Sequence, residues 1–81
     1  IIAEAKVEQA KSYAATGRRL LQHQALAESY LLRGALGAAI DQLQLAQKSG
    51  DGDFYQMSSV EARLRQMRAM QVEEKRRESG R

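Results

Sequence analysis

Chemistry in this chain would have to start from very few residues: one histidine, His23; the acidic turn Gly50-Asp51-Gly52-Asp53; the glycine pair Gly34 and Gly37; and a run of cations near the C-terminus. Cysteine is absent, which removes disulfides, thiolate zinc sites and a cysteine nucleophile. His23 has no second histidine to complete a zinc site or an acyl-transfer triad. It lies in an apolar stripe and reads as a structural histidine. Asp51 and Asp53 lack the further oxygen ligands of a calcium loop, so capping and turn chemistry explain them better. Gly34-Ala35-Leu36-Gly37 follows no strand and precedes no Lys-Ser/Thr, which excludes a phosphate cradle. The segment is therefore expected to be non-enzymatic, with no cofactor of its own.

Charge points elsewhere. Residues 1–53 balance six basic against six acidic side chains, whereas residues 54–81 hold seven basic and four acidic, so the whole net charge of +3 lies at the C-terminal end. Arg63, Arg65 and Arg68 lead that excess. A solvated helix face is the plain reading, and attraction to an acidic partner the functional one. Glu73, Glu74 and Glu78 dilute the patch and no aromatic platform accompanies it, which makes nucleic acid the least favoured partner.

These residues must be positioned by helices. Ala, Leu, Gln, Arg, Glu and Lys make up 51 of the 81 residues, Pro and Asn are absent, and only seven residues are β-branched. The sequence predicts an all-α fold of about four antiparallel helices, broken at Gly17, Gly34 and residues 49–53. No apolar run reaches membrane-spanning length. The first twenty residues lack the order of a secretory signal, and a start at Ile rather than Met suggests a piece of something longer.

The first helix, about residues 2–16, places Ile2, Ala5, Gln9 or Ala10, and Tyr13 on one face. The second, about 19–33, carries Leu20, His23, Leu26, Ala27, Tyr30 and Leu31. The third, about 36–49, carries Leu36, Ala39, Ile40, Leu43 and Ala46. The fourth is predicted to start at an Asp53–Gln56 capping box, with Met57, Val60, Leu64, Met67 and Met70 or Gln71 inward. Ser58 with Glu61 offers a second box, and Glu61–Arg65 and Glu73–Arg77 are suited to i,i+4 pairing. Residues 72–81 have almost no apolar content and are expected to fray as a basic tail.

Spacing refines this. His23, Leu26, Ala27, Tyr30, Ala39 and Leu43, with Ala46 and Gly34, follow the size pattern of a tetratricopeptide repeat over residues 20–53. The reason is steric: Ala27 and Ala39 let two helices approach closely while Leu26, Tyr30 and Leu43 fill the surrounding space. His23 replaces the usual large aromatic, and Asp51 stands where a closing proline would be. Ala10, Tyr13 and Gly17 echo Ala27, Tyr30 and Gly34 at half a repeat. The expected domain is residues 1–71, with residues 54–71 a capping helix whose outside is polar.

The residues Ala27-Glu28, Tyr30, Arg33-Gly34, Ala39-Ile40, Gln42-Leu43, Ala46, Asp53-Phe54-Tyr55-Gln56 and Glu61-Ala62-Arg63 carry a narrower likeness. Over roughly residues 10–70 the chain resembles the C-terminal tetratricopeptide segment of bacterial periplasmic zinc metalloproteases of the β-barrel assembly-enhancing type. That resemblance implies a periplasmic, non-catalytic module behind a His-Glu-x-x-His peptidase domain that holds the zinc. It also implies a role in engaging outer-membrane assembly machinery and substrates. The expected function is thus protein–protein interaction, with Gln22, Glu28, Arg33, Arg63, Arg65 and Arg68 as candidate partner contacts. The alternatives are a structural solenoid cap, or a basic helix that binds an anionic partner; self-association through the solenoid end is a further expectation.

Overall fold

The computed structural model describes residues 1–80, and the chain is all-helical, 82 % helix, with no strand among the described residues. Four helices follow in order: α1 (Ile2–Ala15), α2 (Arg19–Leu32), α3 (Leu36–Gln47) and α4 (Phe54–Ser79). Each packs against the next in hairpin fashion, and α2 also touches α4. No helix is long and apolar enough to cross a membrane.

The first two turns are built alike. Gly17 (φ 72°) and Gly34 (φ 80°) adopt the left-handed conformation that L side chains resist. Gly17 N–H donates to Ala14 O (3.1 Å) and Arg18 N–H to Tyr13 O (2.9 Å); Gly34 N–H donates to Leu31 O (3.0 Å) and Ala35 N–H to Tyr30 O (2.9 Å). These are the paired bonds of a Schellman cap, repeated seventeen residues apart. Ala10 and Ala27, one turn further back, are both buried. The half-repeat echo in the sequence is thus a repeat of helix plus cap.

The core lies among α2, α3 and α4. Leu20, Ala27, Leu36, Ala39, Ile40, Leu43 and Ala46 are buried with Val60, Leu64 and Met67, and Leu21, Tyr30, Leu31 and Met57 pack against them. Ala27 and Ala39 are both fully buried, as the small-residue argument requires. α4 opens with the expected box: Gln56 N–H donates to Asp53 Oδ1 (2.8 Å) and Asp53 N–H to Gln56 Oε1 (3.1 Å). Ser58 and Glu61 fall inside the helix, so the second box is not used.

Three expectations are corrected. On α1, Ile2 is 64 % exposed and Ala5 and Gln9 face solvent; the inner face is Ala3, Val7, Ala10 and Tyr13. On α2, a second face is buried against α1. Ala25 and Ser29 lie on it, and Ser29 Oγ donates to Ala3 O (3.0 Å). Finally, α4 does not fray at residue 72 but continues to Ser79; Arg81 lies outside the described residues. Glu, Lys and Arg are good helix formers, and Arg76 and Arg77 sit in the last turn where the helix dipole favours cations. Glu73 turns to Arg76 (3.6 Å) rather than to Arg77.

The α3–α4 loop folds back on α2. Asp51 accepts the N–H groups of Arg19 and of Leu20 (3.0 Å), so a carboxylate about thirty residues away caps a helix that has no side-chain cap of its own. Gly52 passes so close to Leu20 that a Cβ there would collide with the leucine side chain. The Ser49 hydroxyl (2.9 Å from Asp51 Oδ1) is the main influence holding the Asp51 carboxyl below its ordinary value of 3.8. Desolvation opposes it, and the Leu20 and Arg19 N–H groups add to it. A depressed carboxylate pKa adds stability that is present above pH 3.8 and lost as pH falls through the lower folded value. Asp51→Asn is therefore expected to lower the melting temperature at pH 7. The gap to the parent chain should close in melts taken below the folded pKa.

Candidate binding cleft

α1 and α4 make no direct contact and stand on either side of α2, which leaves an open cleft of about 460 Å³ with α2 as its floor. Lys6, Gln9 and Tyr13 come from α1; Leu21, Gln24, Ala25 and Glu28 from α2; and Ser59, Ala62, Arg63 and Gln66 from α4. Helical spacing explains the grouping, since Lys6, Gln9 and Tyr13, like Ser59, Ala62, Arg63 and Gln66, recur at three- and four-residue steps on one side of their helix.

Two polar bridges cross from α2 to α4. Arg63 Nε donates to Glu28 Oε2 (3.0 Å) and Arg63 Nη2 to Glu28 Oε1 (2.8 Å), a bidentate pair about 30 % exposed on each side. Arg63 Nη1 donates to Gln66 Oε1 (3.0 Å). Gln24 Nε2 donates to Ser59 Oγ (3.2 Å). The bond to Glu28 raises the Arg63 pKa further above its already high value, so this guanidinium is charged at any accessible pH. A double-mutant cycle on Glu28→Gln and Arg63→Gln, read by chemical denaturation, should return a coupling of roughly 1 kcal/mol. The coupling should shrink as salt is added.

Of the six residues the sequence offers as partner contacts, the structure brings two together. Glu28 and Arg63 sit in the cleft, but they satisfy each other. Gln22, Arg33, Arg65 and Arg68 do not line it; Arg33 is the C-cap of α2, and Arg65 and Arg68 are exposed on another side of α4. Sequence reasoning passed over Lys6, Gln24, Ser59 and Gln66, which carry no apolar period, and weighed Gln9 only as an inner-face position of α1. Tyr13, on the inner face of α1, also lines the cleft with its hydroxyl 3.4 Å from Gln9 Nε2, whereas Tyr30 packs against the core.

His23 is half-buried, with Nδ1 2.8 Å from Gln42 Oε1, a bridge from α2 to α3. Phe54 and Tyr55 project into solvent, 79 % and 83 % exposed, in an edge-to-face pair with ring centres 6.0 Å apart. No protein-family model, curated protein or solved structure matches this chain.

Proposed function

We propose that the chain is a non-catalytic, tetratricopeptide-like interaction module that docks an extended polypeptide in the cleft between α1 and α4. The observation that carries this reading is the cleft's lining: three glutamines, a tyrosine and a serine around a partly apolar floor of Leu21, Ala25 and Ala62. Side-chain amides both donate and accept, which suits the alternating N–H and C=O groups of an extended main chain. The Glu28–Arg63 pair is satisfied internally, so the cleft presents little fixed charge beyond Lys6. In the same reading the module serves a larger periplasmic zinc metalloprotease and docks its substrates or assembly partners; a His-Glu-x-x-His helix and a signal peptide upstream in the parent would support that setting.

The test is a titration of the isotope-labelled 81-residue chain with a permanently unfolded, carboxymethylated polypeptide. Docking predicts that the side-chain amide resonances of Gln9, Gln24 and Gln66 shift together. Shifts confined to the outer face of α3, or none at millimolar probe, would remove the proposal.

A second reading, a structural cap, is favoured by a separate observation. Ala25 and Ser29 of α2 face the preceding helix as Val60 and Leu64 of α4 do, which sets a register of 35 residues. In that register the residues α2 turns toward α3 (Leu20, His23, Ala27, Tyr30 and Leu31) correspond in α4 to Tyr55, Ser58, Ala62, Arg65 and Gln66. That face is largely polar, as a terminal helix needs. Deleting the module from its parent separates the two: loss of stability with partner capture intact in a pull-down supports the cap and excludes docking.

A further inference from the structure

The fourth helix outruns the body it packs on. Its 26 residues span about 39 Å, yet its last buried residue is Met67, and of the twelve further helical residues, 68–79, none is buried and all but Gln71 are exposed. As an isolated peptide such a stretch would be marginal in water; continuing a packed helix, it persists with its sides open to a further partner.

The same end of the molecule gathers at least four of the eight exposed large apolar side chains. Ser29 Oγ on Ala3 O ties the start of α1 to the end of α2, so the exposed Ile2, Leu32, Met70 and Val72 share this end with the projecting half of α4. Between that half and the α2–α3 turn lies a recess of about 500 Å³, floored by Leu31, Leu36, Ala69 and Met70. Its outer edge is charged: Glu74 and Arg77 line it beside Met70 at i, i+4 and i+7, and neither makes an ion pair among the described residues.

The order of charges states what fits. Residues 73–77 read Glu, Glu, Lys, Arg, Arg. Laid antiparallel against an identical helix, the two charges that line the recess beside Met70 meet their complements, with Glu74 opposite Arg77 of the second copy and Arg77 opposite that copy's Glu74, while Lys75 and Arg76 lie on another side of the helix. Laid parallel and in register, the same two positions set like charges side by side. Residues 68–79 sum to a charge of only +1, four basic against three acidic, which gives an anionic polymer little to attract.

We infer that this end is a self-association surface, on which the projecting halves of two α4 helices lie antiparallel about a two-fold axis and cover the recess of each partner. The interface is isologous, so each single charge reversal strikes it twice.

Sedimentation velocity of the 81-residue chain across micromolar to millimolar concentration tests this. The chain should form a concentration-dependent dimer. Glu74→Arg alone and Arg77→Glu alone should each raise the dimer Kd about tenfold or more through like-charge contacts. The double variant should restore association, because the exchanged charges again face opposites across the axis. Met70→Ser should weaken the dimer without loss of monomer helicity by circular dichroism. A chain that stays monomeric at millimolar concentration overturns the inference. So does a double variant that associates no better than the weaker single one, since that would show the two positions do not face each other.

Discussion

Leu43→Ala is expected to lower the unfolding free energy by about 2–5 kcal/mol. Leu43 is fully buried at the centre of α3, in the cluster that joins α2, α3 and α4. Removing its outer carbons leaves a cavity whose lining comes from three helices, so no single helix can slide in to close it. A domain of this length has on the order of 4–12 kcal/mol of total stability, so the variant forfeits a large share of the margin. Leu45→Ala, two residues on and 47 % exposed, supplies the contrast and should stay within about 0.5 kcal/mol of the parent. Urea denaturation monitored by helicity measures both. A loss below about 1 kcal/mol at Leu43 would mean that α3 is not the central helix of the core.

The contrast between those two leucines shows what the sequence makes legible. On α3 every buried position is apolar and the exposed positions are Gly37, Asp41, Leu45 and Gln47, so the buried stripe follows the helical period and only Leu45 is an apolar residue left outside it. The stripe of α4 is as plain down to Met67. On α1 the contrast is low: alanines, glutamates and lysines surround the helix, and a one-residue rotation that replaces Ala5 and Gln9 with Ala3, Val7 and Ala10 leaves the pattern about equally good. α2 fails for a different reason. It has neighbours on two sides, and its second buried face is made of Ala25 and Ser29, which no apolar count detects. The length of α4 was missed because low apolar content says where burial stops, not where the helix stops.

The cleft was less legible than the fold. Glu28 and Arg63 are separated by 35 residues, and Asp51 reaches the N–H groups of Arg19 and Leu20 across a similar interval. Such contacts follow from how one helical hairpin is set on the next. Each residue alone looks like an ordinary surface charge, which is why Glu28 and Arg63 read as open partner contacts when the fold has already paired them. Gln9, Gln24 and Gln66 become a group only once α1 and α4 flank α2.

The second large effect is expected from adding volume where the helices touch. Ala27→Leu and Ala39→Leu should each cost about 1–3 kcal/mol or more, because both side chains are fully buried and a leucine there meets the facing backbone. Helix propensity does not explain such a loss, since leucine ranks close behind alanine as a helix former. Ala14→Leu, on the exposed side of α1, is the matching control and should be nearly neutral. The two core variants share one cluster, so the double variant should deviate from the sum of the singles by about 0.5 kcal/mol or more. If α2 yields by moving away from α3, it carries Gln24 and Glu28 with it, and the bridges to Ser59 and Arg63 are strained at the same time. The Glu28–Arg63 coupling measured in an Ala39→Leu background should then fall below its value in the parent chain. An unchanged coupling would show that the α2–α3 contact and the cleft are mechanically independent.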